Sequence, residues 1–281
     1  MSNMMSRRQC SVRDSVTRRI PGPNGELEVE DRGDGGTPVL FVHGNGGSSK
    51  LWHPQLEHLA HSRRALAVDL HGFGLSEGMT TAPYSVESFA TDLEAVTRSL
   101  QIERLVVVGH SLGGAVVARF AGSHRARVAG ALYVDSVGDT RMPASKANSF
   151  AADLKAGGEP DRANEWFQGL LIGARARTRE LVLAELARAS REAVVQAFLA
   201  LTRVDPSRWI AGFGGPALHV FVPRFNRGPS SLSELLPSLP SVRMEGVSHW
   251  PMIDEPQAFN RHLDLFLDGV DSASATETRT R

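Results

Sequence analysis

The sequence predicts an α/β protein built on a mainly parallel sheet, and three observations lead there. Short apolar, β-branched runs alternate along the chain with segments of helical periodicity. A Gly-x-Ser-x-Gly pentapeptide, Gly109 to Gly113, lies between the most strand-like run and a helix of small residues. A histidine, His249, follows directly on the last strand-like run and precedes the last helix.

The elements follow in order. Residues 26–30 alternate in polarity and predict an early, half-exposed strand. The runs at 38–43 and 64–69 are more continuously apolar, as strands buried on both faces are. Between them Trp52, Leu56 and Leu59 recur at helical spacing. The spacing predicts a helix over 86–100, with Ser85 as its N-cap and Glu87 and Glu94 on its polar side. Residues 104–109 form the strongest strand pattern, a helix opens over 112–122, and 128–135 is the next strand.

From about 139 to 212 the alternation stops. Only helical stretches appear, one broken by Gly157, Gly158 and Pro160 and the last stopped by Pro206. Strand character returns at 217–222 and 241–246, and 256–268 read as an amphipathic helix with Phe259, Leu263, Phe266 and Leu267 on one face. The expected organisation is a flexible arm over 1–25, a core from 26–138 and 213–268, a helical lid over 139–212 and a disordered tail over 269–281. The tail expectation rests on its Ser, Thr and Asp content.

Composition narrows the function. Apolar residues make up 41% of 281, enough for a packed core. Lys plus Arg and Asp plus Glu both number 31, which argues against nucleic acid or an anionic membrane as partner. No apolar stretch approaches the ~20 residues that span a bilayer, and the first twenty residues hold no secretory apolar run. The lone cysteine, Cys10, excludes an intrachain disulfide and fits a reducing compartment, so a cytoplasmic protein is expected. No metal motif, phosphate-binding Gly-x-x-x-x-Gly-Lys or Gly-x-Gly-x-x-Gly is present, so no metal or cofactor is expected; the expected partner is a small-molecule substrate.

Three segments carry candidate chemistry. In Gly109-His110-Ser111-Leu112-Gly113-Gly114 the serine must sit on a sharp strand-to-helix turn to project its Oγ, and side chains at 109 and 113 would collide with that turn. In His43-Gly44-Asn45-Gly46-Gly47 the glycines let backbone approach a reacting carbonyl and offer an N–H. His43 itself fits a structural hydrogen bonder better than a base. In Gly246-Val247-Ser248-His249-Trp250-Pro251 the imidazole is suited to activate a serine hydroxyl, which is a poor nucleophile unaided. A serine nucleophile at Ser111 with His249 as its base is the expectation.

On these segments, and on Asp69-Leu70-His71-Gly72-Phe73-Gly74-Leu75-Ser76, the chain resembles the α/β-hydrolase family over about 26–268. The resemblance implies an eight-stranded, mostly parallel sheet with helices on both faces and a helical lid insertion. It implies an oxyanion hole from the backbone N–H groups of Leu112 and Asn45. His43, Gly44, His110 and Trp250 are expected to line the substrate pocket. The 69–76 loop is implied to shape the site's floor without a catalytic role. His43-Gly44-Asn45, Ser48-Ser49 and Trp52 are also similar to the matching stretch of haloalkane dehalogenases. Those enzymes and the epoxide hydrolases use an aspartate nucleophile, so their chemistry does not carry over to Ser111.

The third member of a triad is harder to read. In this family the acid most often follows the strand after the lid, but the residues after 217–222 are Pro223-Arg224-Phe225-Asn226-Arg227, with no carboxylate before Glu234. The expected acid is therefore Asp135, at the end of the strand at 128–135, where some haloalkane dehalogenases carry theirs. Asp139 is its rival, Asn226 could hold the histidine without a charge, and Asp135 could instead bind loop amides. The implied reaction is hydrolysis of an ester or related acyl bond: a thioester, a lactone or an activated C–C bond. A lyase or cofactor-free oxygenase on the same residues, and a ligand-binding receptor, are the other readings, because fold alone does not fix chemistry. Trp166, Phe167, Leu170, Leu171, Phe198 and Trp209 in the lid read equally as pocket wall and as lid–core packing.

Overall fold

A computed structural model describes residues 15–78, 84–156 and 162–279. Residues 1–14 with Cys10, and the 157–160 break, lie outside the described residues. The strands are β1 (Val16–Gly22), β2 (Gly25–Arg32), β3 (Val39–Val42), β4 (Ala65–Val68), β5 (Leu105–His110), β6 (Val128–Val134), β7 (Ala217–Phe221) and β8 (Ser241–Arg243). They form one sheet in the order β1-β2-β4-β3-β5-β6-β7-β8. β1 pairs antiparallel with β2 and β2 with β4; every other pairing is parallel. The four central strands β3 to β6 are buried throughout, which is why they are Val, Leu and Ala runs rather than alternating ones.

The helices are α1 (His53–Leu59), α2 (Val86–Ser99), α3 (Leu112–Ser123), α4 (Ala144–Ala156), α5 (Arg162–Leu170), α6 (Ala176–Arg188), α7 (Arg191–Leu201), α8 (Pro206–Phe213), α9 (Leu232–Leu235), α10 (Pro251–Asp254) and α11 (Pro256–Arg279). α2 starts at a reciprocal cap: Ser88 N–H donates to Ser85 Oγ and Ser85 N–H to Ser88 Oγ, both at 2.9 Å. α1 packs with α11, and α2 and α8 with α3.

The sequence boundaries at the two ends of the chain need correction. Residues 16–25 are not a loose arm but β1 and its turn into β2. An edge strand buries little, and only Ile20 of β1 is fully buried, so its sequence carries almost no apolar signal. The last helix does not stop at 268 but runs to Arg279. Gly130 in β6 leaves a space that a Cβ would close, with Val270 Cγ2 at 2.7 Å and Phe266 Cζ at 3.0 Å, so the helix is held by packing beyond 268. Asp271 adds bonds to Thr37 and Arg63 at 3.1 Å each.

Between β6 and β7 the described residues form five helices, α4 to α8. Ala147, Ala151 and Leu154 of α4 make a small separate core with Val195 and Leu199 of α7. The expected lid over 139–212 therefore ends too late: α8 belongs with the sheet's own helical layer, where Ile210 and Phe213 join the main core and Trp209 lies beneath Arg119 of α3.

Candidate active site

The register brings the ends of four neighbouring strands together. Val42 of β3 is level with Gly109 of β5, His110 with Val134 of β6, and Val134 with Val220 of β7. Ser111 follows β5 at this edge, where ligands enter open α/β sheets. Its φ is +51° and its ψ −115°, a conformation a residue with a Cβ holds only under constraint. The constraint is packing. A Cβ on Gly109 would lie 2.2 Å from Gly113 O, one on Gly113 2.4 Å from Val42 O, and one on Gly114 2.1 Å from Ser136 Oγ. Only hydrogen fits at these three positions. Leu112 opens α3, where an N–H has no acceptor within the helix.

Asp135, at the end of β6, also has positive φ, at +39°. Its backbone N–H donates to Val220 O at 2.7 Å, and its Oδ1 accepts from Val222 N–H at 2.9 Å, so the end of β7 holds the residue through both its backbone and its carboxylate. His249 Nδ1–H donates to the other oxygen, Oδ2, at 2.6 Å. Asp135 is 3% exposed and His249 7%. The carboxylate therefore both binds a loop amide and meets the imidazole.

The rivals sit elsewhere. Asp139 is held by Arg141 through Nε–Oδ1 at 2.8 Å and Nη2–Oδ2 at 2.7 Å, which keeps its carboxyl below the usual range. Glu234 is exposed on α9. Asn226 donates from Nδ2 to Ser136 O at 2.9 Å, and its Oδ1 accepts from Ser233.

The loop carrying His249 is fastened at several points that the sequence did not reveal. Asp254 Oδ2 accepts from Ser248 N–H at 2.7 Å and Ser248 Oγ at 2.6 Å, while Oδ1 takes the Arg175 N–H at 2.8 Å. His249 N–H donates to Leu170 O at 3.1 Å. His110 Nε2–H donates to the His249 carbonyl at 2.7 Å, and burial, with His249 beside it, pushes the His110 pKa well below the ordinary imidazole range. A carboxylate six residues after a serine beside the histidine was the available sign of the Asp254 contact.

A cavity of about 510 Å³ contains Asn45, Ser111, Asp135 and His249 in its lining. Its apolar wall includes Trp166, Leu170, Phe198, Leu201 and Phe225. A more open groove of about 790 Å³, between α11 and β8, contains none of the four. Three of the six lid aromatic and leucine side chains thus face the cavity. Phe167 and Leu171 are buried in the core instead, and Trp209 packs on α3.

The four expected pocket residues His43, Gly44, His110 and Trp250 do not line the cavity. Each is taken up by packing behind it. His43 Nδ1–H donates to Gly44 O at 2.7 Å and Nε2 accepts from Leu70 N–H at 3.1 Å; burial lowers its pKa. A Cβ on Gly44 would lie 2.8 Å from His110 Nδ1 and 3.2 Å from Ser111 Cβ. Trp250 is 3% exposed against His110 and His249. The 69–76 loop stays out of the lining too. Asp69 accepts from Ser49 N–H at 2.6 Å and Leu75 N–H at 2.8 Å, joining the loops after β3 and β4.

Comparison with known proteins decides the family. The family model described as alpha/beta hydrolase fold matches residues 37–191, more than half the chain. The chain belongs to the α/β-hydrolase fold family. A relative of this α/β-hydrolase, 2-hydroxy-6-oxo-2,4-heptadienoate hydrolase of Pseudomonas putida, is 28% identical over 208 residues, covering 71% of this chain and 72% of the relative. A thermophilic esterase of Thermogutta terrifontis superposes with a TM-score of 0.75 at 24% identity, covering 92% of this chain and 99% of the other. An enol-lactonase of Burkholderia xenovorans does so with a TM-score of 0.73 at 20% identity, covering 89% and 100%. The two structures show the fold. This α/β-hydrolase is an enzyme, a hydrolase. Among the described residues no helix is long and apolar enough to cross a membrane, and no group of three or more His, Cys, Asp or Glu is placed to hold a metal.

Behind the cavity, His219 of β7 stacks on Phe221 and is buried. Desolvation of its charged form lowers its pKa from 6.5 to about 3. Between those values the unfolded chain binds a proton that the folded one does not. The stability that a neutral His219 contributes is therefore complete above about pH 6.5 and is lost as pH falls. One proton corresponds to about 1.4 kcal/mol per pH unit, so about 2 kcal/mol goes between pH 6.5 and 5. Urea unfolding of the wild type and His219→Leu at pH 7 and 5 should show the smaller acid loss in the variant. Equal losses would contradict it.

Proposed function

We propose that this α/β-hydrolase cleaves an ester or related acyl bond, such as a thioester, lactone or activated C–C bond, of a small, partly apolar substrate through an acyl-enzyme on Ser111. The observation that carries the proposal is the 2.6 Å bond from His249 Nδ1 to a buried Asp135 at the wall of the cavity that Ser111 also lines. With Nδ1–H committed to a carboxylate, the neutral ring keeps its lone pair on Nε2. That nitrogen takes the Ser111 Oγ proton as Oγ attacks the carbonyl carbon. Asp135 stabilises the imidazolium that results.

The amides of Leu112 and Asn45 receive the charge on the carbonyl oxygen. His249 then gives the proton to the departing oxygen, the alcohol leaves, and Ser111 is acylated. Water attacks the acyl carbon, losing one proton to His249. The proton returns to Oγ as the acid is released. Water is the only co-reactant. The 28% identical relative being a hydrolase supports this direction of chemistry. We assign the helices α4 to α7 as a lid over the cavity, because α5 and α7 supply much of its apolar wall. The single cysteine is compatible with the reducing cytoplasm, where we place the enzyme.

Short-chain 4-nitrophenyl esters test the reaction. The enzyme should release nitrophenolate with turnover, and an alkyl fluorophosphonate should stop it while protecting α4 to α7 from limited proteolysis. Absence of turnover across chain lengths from acetate to octanoate would refute the acyl-hydrolase assignment.

A further inference from the structure

Among the described residues, five ionisable side chains besides His249 line the cavity: Asp135, Asp139, Arg141, Lys146 and Arg227. Pairing sorts them. Asp135 is engaged by His249. Asp139 is engaged by Arg141, which also reaches Asp205 at 3.3 Å. Two cations remain. Among the described residues neither Lys146 nor Arg227 has a carboxylate partner. They come from separate elements, Lys146 from α4 and Arg227 from the turn after β7. Both side chains are exposed, so their charge acts at the cavity's solvent-facing rim, where it draws an anion but is partly screened by salt. The same cavity presents Trp166, Leu170, Phe198 and Phe225.

We propose that the natural substrate is an acidic acyl compound, whose carboxylate is bound by Lys146 and Arg227 and is separated from the scissile carbonyl by a short apolar spacer. The guanidinium fork suits a carboxylate in two-point contact, and the ammonium adds a movable point charge. The proposal rests on the acyl-hydrolase reading for the reaction, but the binding of the carboxylate can be measured apart from it.

The test compares the mono-4-nitrophenyl ester of glutaric acid with 4-nitrophenyl hexanoate, acyl chains of similar length with and without a terminal charge. At low salt the acidic ester should have the higher kcat/KM by about tenfold, the scale of two partly screened ion pairs, carried in KM. The advantage should shrink as sodium chloride is added. Lys146→Gln with Arg227→Gln should bring the acidic ester to parity and leave the neutral one within about twofold. A neutral ester preferred or equal in the wild type, or a double variant that slows both esters alike, would overturn the proposal. Calorimetry on Ser111→Ala separates the two claims. Monomethyl glutarate should bind more tightly than dimethyl glutarate, and this preference without turnover of either nitrophenyl ester would uphold the carboxylate subsite while refuting the acyl-hydrolase assignment. Equal affinities would overturn the subsite whatever the turnover.

Discussion

Asp135→Asn should yield a folded enzyme with kcat lower by about 10⁴. The side chain is buried, and its two oxygens serve two donors, Val222 N–H at 2.9 Å and His249 Nδ1–H at 2.6 Å. Asparagine keeps the shape but has one acceptor oxygen and no charge. It satisfies one donor only, and the imidazolium formed during attack loses its counter-charge. Asp139→Asn removes a partly exposed pair with Arg141, and Glu234→Gln alters an exposed side chain, so each should stay within about tenfold of the parent. Steady-state kinetics on the three variants, with near-ultraviolet circular dichroism as the folding check, decides the acid. If Asp135→Asn keeps its rate while Asp139→Asn loses it, the acid is Asp139.

Ser111→Ala has the largest expected effect, on the order of 10⁶ in kcat, the scale on which nucleophile loss removes the covalent route. The fold should survive. The Ser111 side chain makes no capping bond to α3, and alanine meets the same backbone cost at φ +51° that serine already bears. Thermal unfolding should therefore be nearly unchanged while turnover vanishes, which distinguishes lost chemistry from lost structure.

Much of this was legible because the chemistry imposes local rules. The elbow at 109–114 needs hydrogen rather than a side chain at three positions, and that requirement is visible as glycines. Central strands buried on both faces read as unbroken apolar runs, so their order along the chain could be followed. The choice of Asp135 over the post-lid position followed from an absence, since the turn after β7 holds no carboxylate. β1 escaped because an edge strand with a single buried side chain has no pattern to detect. The end of α11 escaped because its Ser- and Asp-rich composition mimics a tail, whereas Val270 and Phe266 against Gly130 decide its structure. The pocket lining was misjudged for a related reason. His43, His110 and Trp250 adjoin the reactive residues in sequence, but bonds to backbone groups and burial turn them into the support behind the cavity. The cationic lining at Lys146 and Arg227 depends on contacts between segments about 80 residues apart, which no local pattern encodes.

The central claim is that Ser111 is the nucleophile made reactive by His249 and Asp135. Intact-mass spectrometry after treatment with an alkyl fluorophosphonate tests it most directly. The account predicts one adduct per chain, located on the tryptic peptide containing Ser111, and no adduct on Ser111→Ala. A folded, active wild-type enzyme that stays unmodified, or an adduct that persists in Ser111→Ala, would contradict it.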